Sequence, residues 1–185
     1  MIDDVMLEAE EKMESALEAA KRELASIRTG RANPAMFNGI MVDYYGAPTP
    51  LQQLASLTIP EARTVIVSPF DRSAMKQITS AIRESDLGVN PTDDGNIIRV
   101  TLPALTEERR KDYVKLAKSR AEESRVQVRG VRGKAKKELE AIKKDGEAGE
   151  DDVKRAEGDL ESLTKRFVEQ IDAALEAKEK ELLEV

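Results

Sequence analysis

Cysteine and histidine are both missing from this chain. Without cysteine there are no disulfides and no thiol chemistry. Without histidine the commonest general base and the commonest metal ligand are gone, which weighs against an enzyme. Tryptophan is absent and aromatic residues make up 3%. No apolar run approaches the roughly 20 residues of a membrane-spanning helix. The N-terminal stretch MIDDVMLEAEEKME is acidic and has no apolar centre, unlike a secretory signal or a transit peptide. The expectation is a soluble cytoplasmic protein with no membrane association, metal or cofactor.

What is present is charge. Charged residues are 36% and apolar residues 40% of the 185 positions, a balance typical of long helices with narrow apolar seams. From Ile2 to Arg28 the apolar residues step by threes and fours through Met6, Ala9, Met13, Leu17, Ala20, Leu24 and Ile27. That spacing predicts one amphipathic helix, ended by Gly30, Pro34 and Gly39. The next region, to about Leu105, holds all 7 prolines. There GIMVDYYG, RTVIVSPF and NIIRVTLP are expected as strands, and YYGAPTP and NPTDDGN as turns. DRSAMKQITSAIRESDLG is expected as a helix with Asp71 as N-cap, Met75, Ile78 and Ile82 on its buried face, and Gly88 after its end.

Helical stepping resumes after Pro103. Val114, Ala117, Ala121, Ser124, Val128, Val131, Ala135, Leu139 and Ile142 predict a helix from Glu107 to Lys144, about 57 Å long. A break at DGEAGEDD precedes a third seam from Val153 to Leu182, in which Lys178 is a polar step that weakens the far end. Helices of this kind bury their seams together, so a three-helix bundle with an inserted α+β domain is expected. The bundle takes 1–30 and 105–185 and the inserted domain 31–104, hinged at 28–34 and 102–107. The hinge residues are Thr29, Gly30, Arg31, Ala32, Pro103, Ala104 and Leu105.

Charge is unevenly placed in a chain of net −6. Residues 107–144 hold fourteen basic and seven acidic side chains, net +7, while residues 145–185 hold six and fourteen, net −8. Residues 1–27 are net −5 and residues 28–106 are neutral. Lys111, Lys115, Lys118, Arg125, Arg129, Arg132, Lys136 and Lys143 follow the seam displaced by one residue, about 100° around the helix. Only Glu122 and Glu140 interrupt them. Such a ridge either pairs with the acidic helices across the bundle or binds phosphate. Arginine favours the second, since it meets phosphate with two parallel hydrogen bonds. Gly130 and Gly133 inside the ridge each cost the helix about 1 kcal/mol against Ala. They are tolerated there or admit a backbone or phosphate.

Other motifs carry less. TGRANPAMFNG lacks the lysine and helix context of a P-loop. DGEAGEDD lacks calcium-ligand spacing and suits an acidic helix start. Tyr44 and Tyr45 adjoin a turn and are expected only to pack at a sheet edge.

The stretches IRTGRANPAMFNGIMVDYYGAPTPLQQLASLTIPEARTVIVSPFD, SDLGVNP, IRVTLPALTEERRKDYVK and RVQVRGVRGKAKKEL resemble the ribosome recycling factor family, end to end and in order. The resemblance implies an L-shaped, tRNA-like α+β fold of two domains, a three-helix bundle and a small β/α/β domain. It implies a monomeric factor without a catalytic site, which binds the post-termination ribosome on large-subunit ribosomal RNA. With elongation factor G and that factor's GTP hydrolysis, it promotes splitting into subunits. The family's basic pattern falls on Arg28, Arg31, Arg110, Arg129 and Arg132. With Lys118, Arg125 and Lys136 of the ridge these are the expected RNA-binding residues. Gly130 stands where family members commonly carry Asn, and Gly133 where a second Arg is common. The competing reading is a non-enzymatic coiled-coil interaction module whose charges pair internally.

Overall fold

The structure is a computed structural model and describes residues 1–184. The chain forms two compact units, one of Met1–Ile27 with Lys111–Leu183 and one built on Arg28–Arg110.

The first unit is helical. It comprises α1 (Ile2–Ser26), most of α4 (Glu107–Lys144) and α5 (Glu150–Leu183). Met13, Leu17, Val128, Leu139, Leu160, Phe167 and Ile171 from all three helices share one core and are at most 1% exposed. Each such side chain contributes about 1.5–3 kcal/mol by leaving water. Helix α1 ends two residues before the expected Arg28, where Ile27 turns extended (φ −71°, ψ 126°). Helix α4 has the expected bounds. Thr106 Oγ1 caps it by accepting from the Arg109 amide at 3.1 Å. At its far end Gly146 takes φ 70° and the Glu147 amide bonds back to Ile142 O at 3.1 Å, an αL ending that suits glycine. Helix α5 starts on Glu150, Asp151 and Asp152, where acidic side chains complement the helix dipole. Lys178 proves to be part of the seam. Its side chain is 9% exposed and its Nζ reaches Glu181 at 3.5 Å, so the aliphatic stem packs while the head finds a carboxylate. Burial pushes its pKa below the ordinary lysine value.

The second unit has two antiparallel sheets. Strands β1 (Met41–Tyr44) and β2 (Ala47–Pro50) form a hairpin. Strands β3 (Ala55–Glu61), β4 (Thr64–Pro69), β5 (Thr92–Asp93) and β6 (Ile98–Thr101) form a sheet in the order β3-β4-β6-β5. A single-turn helix α2 (Leu51–Leu54) joins the two. Val65, Val67, Ile98 and Val100 alternate with less buried residues along β4 and β6, and are 0% exposed. They pack with Ile78 and Ile82 of α3 (Met75–Arg83). Asp71 caps a 3-10 turn (Arg72–Ala74) that leads into α3, rather than α3 itself, by accepting from the Ser73 amide at 2.9 Å.

Three strands lie outside the sequence expectation. YYGAPTP and NPTDDGN, expected as turns, contain β2 and β5, and β3 was not anticipated. Proline explains two of the three. Pro48 and Pro50 lie in a two-stranded hairpin, and β3 is an edge strand whose register shifts between Thr58 and Glu61, around Pro60. Edges and bulges are where a strand tolerates a missing amide hydrogen.

Candidate nucleic-acid interface

Helix α4 displays its cations along one line, and the structure sorts them by what already holds them. Arg125 is held most. Its side chain is 17% exposed, its Nε donates to Asp172 Oδ1 of α5 at 2.6 Å, and its Nη1 donates to Glu122 at 3.0 Å. Those carboxylates outweigh the cost of its partial burial and raise its pKa further. Arg132 is 39% exposed and lies 3.5 Å from Glu161 of α5, with its Nε buried and without an acceptor. Lys143 pairs with Glu150 at 3.2 Å. In these three residues the ridge laces α4 to the acidic segment that follows it.

Three of the remaining ridge residues, Lys118, Arg129 and Lys136, line an exposed face. Arg129 is 50% exposed, and its ion-pair partner among the described residues is Glu122, on its own helix, at 3.5 Å. Lys118 and Lys136 are exposed and in no ion pair among the described residues. From Lys118 to Lys136 the line covers about 27 Å of helix at 1.5 Å per residue. Exposed ion pairs are worth about 0–1 kcal/mol, so these cations are not explained by the stability of the bundle. Arg120, which lies off the ridge, pairs with Glu123 at 3.3 Å.

Gly130 and Gly133 have no packing role. A Cβ at either would meet nothing within 4 Å. Gly130 borders an open groove of about 240 Å³ between α1 and α4, beside Lys12 and Lys134.

The other expected RNA-binding residues are Arg28, Arg31 and Arg110. Arg28 and Arg110 are half-buried and Arg31 is exposed; the Nη2 of Arg28 is shielded from solvent with no acceptor. Thr29 Oγ1 lies 3.3 Å from both the amide and the carbonyl oxygen of Arg31, a local turn. Gly30 uses no left-handed angle here. Two backbone bonds mark where the chain enters and leaves the second unit: the Ala32 amide to Ala62 O at 2.6 Å, and the Leu102 amide to Arg63 O at 2.7 Å. Both acceptors belong to the turn between β3 and β4.

Among the described residues no group of three or more Asp and Glu side chains could hold a metal ion, and no helix is long and apolar enough to cross a membrane.

The sequence and the fold both match known proteins. The family model described as ribosome recycling factor matches residues 20–183. Ribosome-recycling factors from Kineococcus radiotolerans and Beutenbergia cavernae are 65% and 64% identical over 185 residues, the whole of each chain. A solution structure of ribosome recycling factor is 43% identical with a TM-score of 0.81, covering all of this chain and 98% of that one. A second structure, 41% identical with a TM-score of 0.68 and full coverage of both chains, is the Thermus thermophilus ribosome recycling factor in a model with Escherichia coli elongation factor G bound to the post-termination complex.

Proposed function

From the premise that the chain belongs to the ribosome recycling factor family, we propose that it binds the post-termination ribosome through α4 and, with elongation factor G, promotes its splitting into subunits in the cytoplasm. It is a non-enzymatic factor, and the GTP hydrolysis is the elongation factor's. The relative placed with elongation factor G on a post-termination complex supports this partner set.

The observation that carries the reading is the outward line of Lys118, Arg129 and Lys136 on a helical segment of net +7. Ribosomal RNA offers closely spaced phosphates, and each contact releases counterions. Arg125 and Arg132 border that line but are already engaged by Asp172 and Glu161, so the reading assigns the phosphate contacts to the outward cations. The net −8 of residues 145–185 repels RNA elsewhere and leaves the α4 face as the docking surface. The internal-pairing reading accounts for Arg125, Arg132 and Lys143, and for Arg129 through Glu122, but leaves Lys118 and Lys136 without a role.

The hinge has its own place in this reading. Ala32 and Leu102 are tied to Ala62 and Arg63, and Thr106 is tied into α4. Bending then falls to Arg28–Arg31 and Pro103–Leu105, with Ala32 assigned to the small unit.

The test is light scattering of post-termination ribosomes with the cognate elongation factor. The expected result is a fall in scattering that needs this protein, the elongation factor and GTP together. Scattering that stays flat while the protein co-sediments with ribosomes would overturn the splitting role. Absence of co-sedimentation at low salt would favour the interaction module.

A further inference from the structure

The chain has six aromatic side chains, three Tyr and three Phe. Two of them, Tyr45 and Phe70, are 81% and 70% exposed on the small unit. Among the described residues Tyr45 is also the one non-glycine with positive φ, at 51°. Tyr44 pairs with Ala47, so Tyr45 and Gly46 (φ 80°) form the two-residue loop of the β1–β2 hairpin. Positive φ at both loop positions is a type I′ turn, whose first position suits Asn, Asp or Gly. Here the turn carries a bulky ring that burial does not reward. A disfavoured backbone angle kept for an exposed aromatic points to function.

The surroundings form a cup. The Tyr45 hydroxyl is 3.4 Å from Ser73 Oγ, and its ring meets that of Tyr44 edge-on at 4.6 Å. The Tyr44 hydroxyl donates to Asp71 Oδ2 at 2.9 Å, while Asp71 Oδ1 accepts from the amide and the hydroxyl of Ser73. Those bonds, the Ser73 hydroxyl foremost, hold the Asp71 carboxyl below its ordinary pKa and therefore charged. The cavity is about 230 Å³ and is lined by Asp43, Tyr44, Tyr45, Ser73 and Gln77, among others, but by no Lys or Arg. Asp43 is in no ion pair among the described residues. Asp71 lies outside the lining with both oxygens occupied, so Asp43 is the carboxylate that faces the cavity beside the two rings, a setting that attracts a cation and repels phosphate. This is the opposite of the α4 ridge.

We propose that the cup at the β1–β2 tip receives an arginine or lysine side chain presented by a protein partner. A ribonucleic-acid base stacked on Tyr45, with its phosphate close by, is the outcome that the Asp43 carboxylate disfavours. The site rests on the geometry of the small unit. Only the splitting arm of its test rests on the recycling reading.

The full chain, isotope-labelled, is titrated with N-acetyl-arginine amide, with its neutral isostere N-acetyl-citrulline amide, and with adenosine monophosphate. Only the arginine derivative is expected to give saturable shifts at Tyr45 and Gly46, and Asp43→Asn is expected to weaken them at least threefold. No saturable shift, or saturation by the nucleotide instead, overturns the proposal. Tyr45→Asn suits the turn better and is expected to melt at or above the parent temperature, which separates function from folding. In the splitting assay that variant is expected to act at least tenfold more slowly; a stable variant splitting at the parental rate overturns a partner role. A parent chain that fails to split ribosomes sinks the recycling reading instead, and leaves the titration to decide the cup.

Discussion

The helical unit and the small unit solve opposite problems with similar numbers of residues. The bundle segregates charge by helix, with a basic α4 beside acidic neighbours, and has few aromatics. The small unit is neutral over residues 28–106, contains all the prolines, and exposes the Tyr45 ring at a hairpin tip. A long-range field suits a polyanion, while a neutral surface with one cup suits a protein contact. On the proposed reading, the difference teaches that one acidic chain addresses two kinds of partner by sorting its charge along the sequence.

The largest effect expected from breaking the comparison is in the two cores. Ile78 of the small unit and Phe167 of the bundle are each 0% exposed. Ile78→Ala should cost about 2–5 kcal/mol and Phe167→Ala about 3–5 kcal/mol. Because the two cores share no residues, each variant should lower one calorimetric transition and leave the other within about 1 °C. Equal lowering of both by either variant would mean that the units fold as one.

A smaller effect, of opposite sign, is expected on α4. Gly130→Ala adds a methyl that meets nothing within 4 Å, so it should stabilise the bundle by about 1 kcal/mol. Ribosome affinity should not change if, as proposed, the exposed cations and not the bare backbone carry the binding. Higher stability with weaker binding would show that RNA approaches the helix at Gly130.

The same contrast governed what could be read from the sequence. The seams of α4 and α5 were legible because one period runs through more than thirty residues, and the bounds of α4 follow from Thr106 and Gly146. Strand β3 was not legible, since Pro60 argues against a strand and only pairing with β4 creates the bulge that accommodates it. Strand β5 has two residues and exists through its partner β6. In the candidate site the ridge was visible as a stripe. Its division into held and outward cations was not, because that depends on how α5 rotates Glu161 and Asp172 toward α4. Tyr45 was expected only to pack at a sheet edge. Its exposure and left-handed angle are tertiary facts, and the YYG motif was the available signal for the turn.

The central claim is that the outward cations of α4, and not those laced to α5, contact ribosomal RNA. Ribosome affinity measured against salt for the parent and for Arg129→Glu/Lys136→Glu tests it most directly, with the melting temperature of the same samples. Arg132 is left unchanged because Glu161 already holds it. Each lost phosphate contact should reduce the log–log salt slope by about 0.7–0.9. The double variant should therefore bind far more weakly, with a slope shallower by about 1.4–1.8, while its melting temperature stays close to the parent's. A lowered melting temperature with affinity and slope unchanged would contradict the account.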